Sequence, residues 1–287
     1  MIIENFLTID PKDTHAKTIY NYLVSAVASR PIAFASTIDK EGNVNLSPFS
    51  FFNVFSANPP IMIFSPVRRS VDNTLKDSLN NVYDVKEVVI NIVNYNMVQQ
   101  MSLSSADYPS HINEFEKAGF TMLKSDLIKP YRVKESPVQF ECKVLEIKEL
   151  GENGGAGNLV ICEVVKIHLN EDILLENKMI DPHKIDLVAR AGGNFYSRVA
   201  DGYFEIPKPF SKLGMGFDSL PLEIKNSTIL SGNDLGKLAS LDILPSISES
   251  DLFKKENSIE IIGDSSHVLA KQYLNNDEIE NAWKILL

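Results

Sequence analysis

Residues 29–66 read SRPIAFASTIDKEGNVNLSPFSFFNVFSANPPIMIFSP, and this stretch decides the fold. Residues 32–38 are apolar and rich in β-formers, so they read as a strand. DKEGN at 39–43 is a turn signal with Gly42 inside it. The run 44–56 is the expected return strand, NPP at 58–60 ends it, and 61–66 is a third strand. Three strands joined by short turns predict an antiparallel meander.

Working outward, residues 18–28 carry helical spacing through Ile19, Tyr22, Leu23 and Val27. A helix from about residue 70 to 82 is expected from Leu75, Leu79 and Val82. Residues 87–93, EVVINIV, form a continuous apolar run and predict a buried strand. Asn96 is placed to cap a helix over 97–103, and a further helix over 111–118 closes at Gly119. Residues 139–150 and 158–170 alternate as two strands, joined by the glycine-rich GENGGAG at 151–157. About six strands with interspersed helices and no βαβ alternation argue for a closed or partly closed antiparallel barrel. After PKP at 207–209 the texture turns helical, most clearly over 267–287, where Leu269, Tyr273, Ile279 and Trp283 recur. The chain is therefore divided into a barrel domain, 1–204, and a mostly helical C-terminal extension, 205–287.

Composition narrows the function. The formal net charge is -10, so the basic footprint of a nucleic-acid binder is missing. No apolar run is long enough to cross a bilayer, and the N-terminus lacks a secretory pattern, so a cytoplasmic location is expected. Cys142 and Cys162 are the two cysteines. They fall on the two strands of one hairpin and read as small buried hydrophobes. The five histidines show no metal-ligand spacing. His111 precedes Glu114 and reads as a helix cap, or as a contribution to the mouth of a site. No G-x-S-x-G elbow appears, and GENGGAG opens no helix, so it is not a dinucleotide fingerprint.

The decisive stretch also carries the candidate chemistry. Ser36, Thr37, Ser47, Ser50, Asn53 and Ser65 are interleaved with Phe34, Phe49, Phe51 and Phe52. Hydroxyls and backbone donors suit a phosphate or a polar ring edge, and aromatics suit a flat ring system. The same residues could equally satisfy strand ends and fill a core. Arg68 and Arg69 precede the expected helix start near Ser70 or Asp72, an arrangement that binds phosphate or is simply solvated.

Several segments, in order, resemble the flavin reductase-like, FMN-binding split-barrel family. They are SRPIAFAST, GNVNLSPFSFFNVFSANPPIMIFSP, DNTL, EVVINIV, EFEKAGFT (114–121), SPVQFECKV (136–144) and VARAGGNFYSRV (188–199). The resemblance implies a six-stranded antiparallel split β-barrel, a homodimer, and FMN at the interface of two chains. It implies that Ser47, Phe49, Ser50, Phe51 and Asn53 line the flavin, with Ser65 nearby, and that Ser36 and Thr37 lie under its ribityl chain or phosphate. Arg69, Asn73 and Thr74 would grip the phosphate, assisted by Arg30. Gly193 and Tyr196 would approach the ring or the nicotinamide. The implied activity is a flavin reductase: hydride passes from NADH or NADPH to FMN, and electrons pass on to an acceptor or a partner monooxygenase. Two alternatives stay open, an FMN-binding electron carrier or sensor without nicotinamide turnover, and a non-flavin barrel acting as a binding module. The C-terminal segment is expected to cover the groove or to widen the dimer contact.

Overall fold

The computed structural model describes residues 6–206, 213–261 and 265–287. They divide into two compact units, Met1–Tyr203 and Phe204–Leu287. Pro207 and Pro209, expected to mark the boundary, lie outside the described residues.

The first unit is built on seven antiparallel strands: β1 (Ala33–Ile38), β2 (Val44–Phe49), β3 (Phe52–Ala57), β4 (Pro60–Phe64), β5 (Glu87–Ile92), β8 (Val138–Glu149) and β9 (Asn158–Leu169). Two short ribbons complete the strand set: β6 (Met122–Leu123) with β7 (Arg132–Val133), and β10 (Val188–Arg190) with β11 (Tyr196–Arg198). The order in the large sheet is β2-β1-β5-β8-β9-β4-β3. This corrects the six-strand expectation. The run 44–56 is not one strand but two, broken at Ser50 and Phe51, and its halves lie at opposite edges of the sheet. Hairpins β1–β2 and β3–β4 replace the three-strand meander. Pro48 explains part of the break. A proline lacks the N–H that a central strand needs, so it belongs on an edge, and β2 is an edge.

Three residue steps from Phe49 to Phe52 span at most about 11 Å, so the two edges must come together at this corner. The core confirms the curl. Ala33, Ala35, Phe49, Met62, Phe64, Val88, Ile90, Cys142, Val144, Val160, Cys162 and Val164 form one buried cluster. Phe49 at one edge meets Phe64, next to the other edge, with ring centroids 5.5 Å apart. The edges pack through side chains without backbone pairing, so the barrel is open along one seam. Bulges in the β8–β9 hairpin, at Glu141/Cys142 and Val144/Glu146, let these long strands bend. Both cysteines lie in the core as expected, and burial raises both thiols well above their ordinary range.

Among the described residues, five α-helices decorate this unit: α1 (Ala16–Ala26), α2 (Asp77–Val85), α3 (Val98–Leu103), α4 (Glu114–Ala118) and α5 (Pro182–Ile185). Leu79 and Val82 of α2 join the barrel core. Met101 of α3 and Phe115 of α4 pack on the other face, against Phe34 and Leu46. Two starts differ from expectation. The chain over 70–76 is an irregular loop, and α2 begins only at Asp77. Asn96 sits inside a short 3-10 turn and caps nothing, whereas Asn113 caps α4. Gly119 closes α4 in the left-handed conformation, as read from the sequence.

The second unit holds α6 (Leu222–Lys225), α7 (Gly232–Ala239), α8 (Ile247–Glu256), α9 (Ser265–Asn275) and α10 (Ile279–Leu286). Rather than an irregular extension, these helices enclose a core of their own. Trp283 is fully buried with Leu238, Leu274 and Ile224, and its indole N–H donates to the Leu238 carbonyl at 3.0 Å.

The seam contact generates a stability prediction. Phe49→Ala should cost about 3–5 kcal/mol, the range for large-to-small aromatic core truncation. Phe51→Ala, with Phe51 37 % exposed, should cost under about 1 kcal/mol. Urea unfolding followed by circular dichroism separates them, and equal costs would contradict the curl.

A second prediction concerns Glu141, wholly buried on β8. Burial raises its carboxyl, but N–H donors from Asp126 and Leu127 and the ring of His168 outweigh this and hold it below the ordinary carboxylate range. A depressed folded value contributes stability above the unfolded value of about 4.3, lost as pH falls through the folded one. The stability gap between wild type and Glu141→Gln should therefore shrink on acidification below pH ~4. A gap independent of pH would refute the assignment.

Candidate functional site

The corner where β2 gives way to β3 opens a groove of about 340 Å³, lined by Val27, Arg30, Ser50, Phe51, Asn53 and Ser65 among others. That volume is in the range of small-molecule sites. Phe51 and Asn53 are exposed, Ser50 is half-buried, and the Tyr20 ring lies 6.4 Å from that of Phe51. The local cause is the break itself. Ser50 and Phe51 leave β2 and enter β3, so their side chains escape the pleat and face the seam.

Arg30 sits at the base of this groove and is buried. Its guanidinium donates to the carbonyls of Val24, Val27 and Ala191, and through Nε to Ser50 Oγ at 3.4 Å. It ties together the end of α1, the β10–β11 hairpin and the corner serine. Burial pushes the guanidinium down from its ordinary value. Arg30 is thus a brace at the aromatic groove rather than a companion of Arg69.

A second, polar recess lies farther back along β2. It encloses only about 20 Å³, with Asp107 seated among its cations, and is lined by Asn45, Ser47, Arg69, Lys76, Asp77, Ser78, Asp107 and Glu114 among others. Two cations converge here. Arg69 Nε is 3.5 Å and Lys76 Nζ 3.9 Å from the same Asp107 carboxylate oxygen. Arg69 also donates to Thr74 Oγ1 at 3.3 Å and to the Leu75 carbonyl at 2.5 Å. Glu114 accepts the edge N–H of Leu46 at 3.0 Å. Burial raises its carboxyl, only partly opposed by that bond.

The remaining expected residues separate. Ser36 and Thr37 are fully enclosed, so neither presents a surface to a ribityl chain or phosphate. Thr37 Oγ1 accepts from Asn45 and Asn81, while the Ser36 hydroxyl has no partner. Phe49 fills the core instead of lining the groove. Ser65 is buried at the groove wall, and its Oγ accepts the Asn158 N–H at 3.1 Å. Asn73 is left-handed with φ 61° and donates its carboxamide to the Glu152 carbonyl at 2.9 Å. Arg69 precedes a loop and not a helix N-terminus; the N-terminus of α2 borders the same recess through Lys76, Asp77 and Ser78. Gly193 and Tyr196 lie on the β10–β11 hairpin, where Tyr196 packs under Arg190 at 4.6 Å. Sequence reasoning missed Lys76 and Asp107, which are remote from the serine–phenylalanine run and carry no motif.

The residues fit a flavin mononucleotide in kind. An aromatic groove with hydroxyl and amide edges and a polar recess holding a pair of cations are both bordered by the 45–53 segment. Among the described residues, the Asp126, Glu141 and His168 cluster has metal-ligand atoms within 4.8 Å of one another. Lys166 and Arg132 already neutralise Asp126, and backbone N–H groups hold Glu141, so it reads as a structural brace.

Comparison with known proteins places the chain. The profile of the flavin reductase like domain matches residues 25–184. An uncharacterised protein of Aquifex aeolicus is 38% identical over 185 residues, 64% of this chain and 92% of that protein. Component B of nitrilotriacetate monooxygenase from Bacillus cereus superposes with a TM-score of 0.66 at 30% identity, covering 70% of this chain and 98% of that one. A candidate flavin reductase with split barrel domain from Shewanella frigidimarina gives 0.60 at 26% identity, with 71% and 100% covered. The helical unit from Phe204 lies beyond the matched domain. The chain belongs to the flavin reductase like family, with its open-seamed barrel as the family domain.

Proposed function

We propose that the chain binds FMN and acts as an NAD(P)H-dependent flavin reductase. The observation that carries this reading is that the 45–53 segment borders two recesses: Ser50, Phe51 and Asn53 line the groove, and Ser47 lines the polar recess together with Arg69 and Lys76. The first set suits the ring and its polar edge. The second suits the phosphate, at the place where the Asp107 carboxylate now meets both cations. Charge-assisted donors are the strong ones for such a group. The flavin, when bound, supplies the hydride-accepting ring, so no strong acid or base is required of the chain. Its residues hold the ring edge, fix the tail and leave one ring face open to the donor. The hairpin carrying Gly193 and Tyr196 is tied through Ala191 to Arg30 at the groove, and this tie supports a role for it beside the donor.

A homodimer completes the reading. Tyr20, Leu23 and Val27 of α1 and its end, with Phe51, Val54 and Phe55 around β3, are large apolar side chains left exposed around the groove. Contiguous apolar surface of this kind marks an interface, and a second copy covering it would wall the groove. The Bacillus cereus relative is a monooxygenase component by name, which supports a partner monooxygenase as one acceptor of the electrons.

Arg69→Ala should weaken FMN binding about ten- to hundredfold, the worth of a charged hydrogen bond, and leave riboflavin, which has no phosphate, within about twofold. Equal loss for both flavins would displace the phosphate site. Anaerobic NADH or NADPH should bleach the oxidised-flavin absorbance of the FMN-loaded protein. Reduction by dithionite but by neither nicotinamide would make the protein a carrier and not a reductase.

A further inference from the structure

The glycine-rich connection at 151–157 reads from the sequence as a flexible hairpin loop. Its contacts are of another kind. A Cβ on Gly154 would stand 3.0 Å from Ser70 Cα and 3.1 Å from the Arg69 carbonyl oxygen. Both neighbours are backbone, not the yielding end of a side chain. Gly155, at φ +89°, donates its N–H to the Arg68 carbonyl at 2.9 Å. The Arg68 N–H returns a bond to the Ala156 carbonyl, also at 2.9 Å. The Glu152 carbonyl accepts from Asn73 Nδ2 at 2.9 Å and from Arg68 Nε at 3.3 Å. At the base, Asn158 Nδ2 donates to the Pro66 carbonyl at 2.9 Å.

The segment these groups hold, residues 66–75, has no regular secondary structure beyond a bridge at Val67. Its internal bonds run from the Arg69 N–H to the Thr74 carbonyl, from the Asn73 N–H to the Arg69 carbonyl, and from the Thr74 N–H and hydroxyl to the Asp72 carboxylate. The 151–157 loop adds support to this turn from outside it. Directional recognition by a guanidinium tolerates only about 0.5 Å and 10–20° of misplacement.

We propose that the 151–157 loop is the template that positions Arg69 and Thr74, and so sets the preference of the site for a phosphate-terminated flavin. Gly154 on the loop and Asn73 on the turn it holds are the two positioning residues. Gly154 permits the backbone approach that seats the Arg69 turn, and Asn73 clamps that turn to the Glu152 carbonyl. This rests on the FMN reading above, because it assigns the turn to the phosphate end. It assigns no ligand contact to the loop itself.

The test compares FMN with riboflavin, by equilibrium binding to full-length wild type, Gly154→Ala and Asn73→Gly. Glycine at 73 keeps the left-handed backbone and deletes only the clamp. Both variants should lose FMN affinity about tenfold or more and keep riboflavin affinity within about twofold, with unchanged circular dichroism. Amide hydrogen exchange at positions 69 and 73 should accelerate in both variants without ligand. FMN affinity unchanged in both variants overturns the template while leaving the FMN reading intact. Equal loss of FMN and riboflavin also overturns it, since the loop would then serve the fold and not the tail. A wild type that does not distinguish FMN from riboflavin removes the phosphate assignment and this inference with it.

Discussion

The contact of Phe49 with Phe64 across the open seam is the constraint on which the rest depends. A seven-stranded sheet has two edges, and here they are consecutive in the chain. Ser50 and Phe51 must bridge them while the backbone on either side changes edge. Hydrogen bonds do not close the gap, so aromatic packing in the core does. The seam leaves unpaired edges and a groove at one corner. An open edge invites other chains. This barrel limits that with Pro48 in β2, with Glu114 on the Leu46 N–H, and with a bulge in β3.

The same geometry accounts for the division of labour among residues that look equivalent in the sequence. Phe49 and Phe51 are two positions apart, yet one is core and the other faces the groove. The strand ends between them, and beyond its end the alternation of faces no longer applies. Serines divide likewise. Ser36, on a central strand with both faces covered, is enclosed, whereas Ser50 at the corner is reachable. A site on a seam therefore draws its polar groups from the turns at the edges and its rigidity from the strands behind them.

Rigidity also explains why a glycine-rich loop matters to a distant arginine. Arg30 and the 151–157 loop act in parallel. Arg30 braces the groove end by binding three carbonyls, two at the end of α1 and one at Ala191 beside the β10–β11 hairpin. The glycine loop braces the recess end through backbone bonds and close approach. Neither needs to touch a ligand to govern how well one is held. Both supporting shells come from segments far away in sequence, which is the usual cost of precision at a site built from loops.

Periodicity and turn chemistry were enough to determine most strands, the long hairpin, the capped end of α4 and the helical texture of the C-terminal part. These are local properties: alternation, glycine at a left-handed position, apolar spacing. Pro48 even carried a legible sign that its strand is an edge. The ordered motifs from Ser29 to Val199 pointed to the family and to the corner serine, Phe51, Asn53 and Arg69. Only the tertiary structure decided that the run 44–56 is two strands on opposite edges, that Ser36, Thr37 and Phe49 face inward, that Lys76 and Asp107 join Arg69, and that α6–α10 close over Trp283. Each of these depends on which segments meet after the sheet curls, and contacts between residues distant in the chain leave no periodic trace in it.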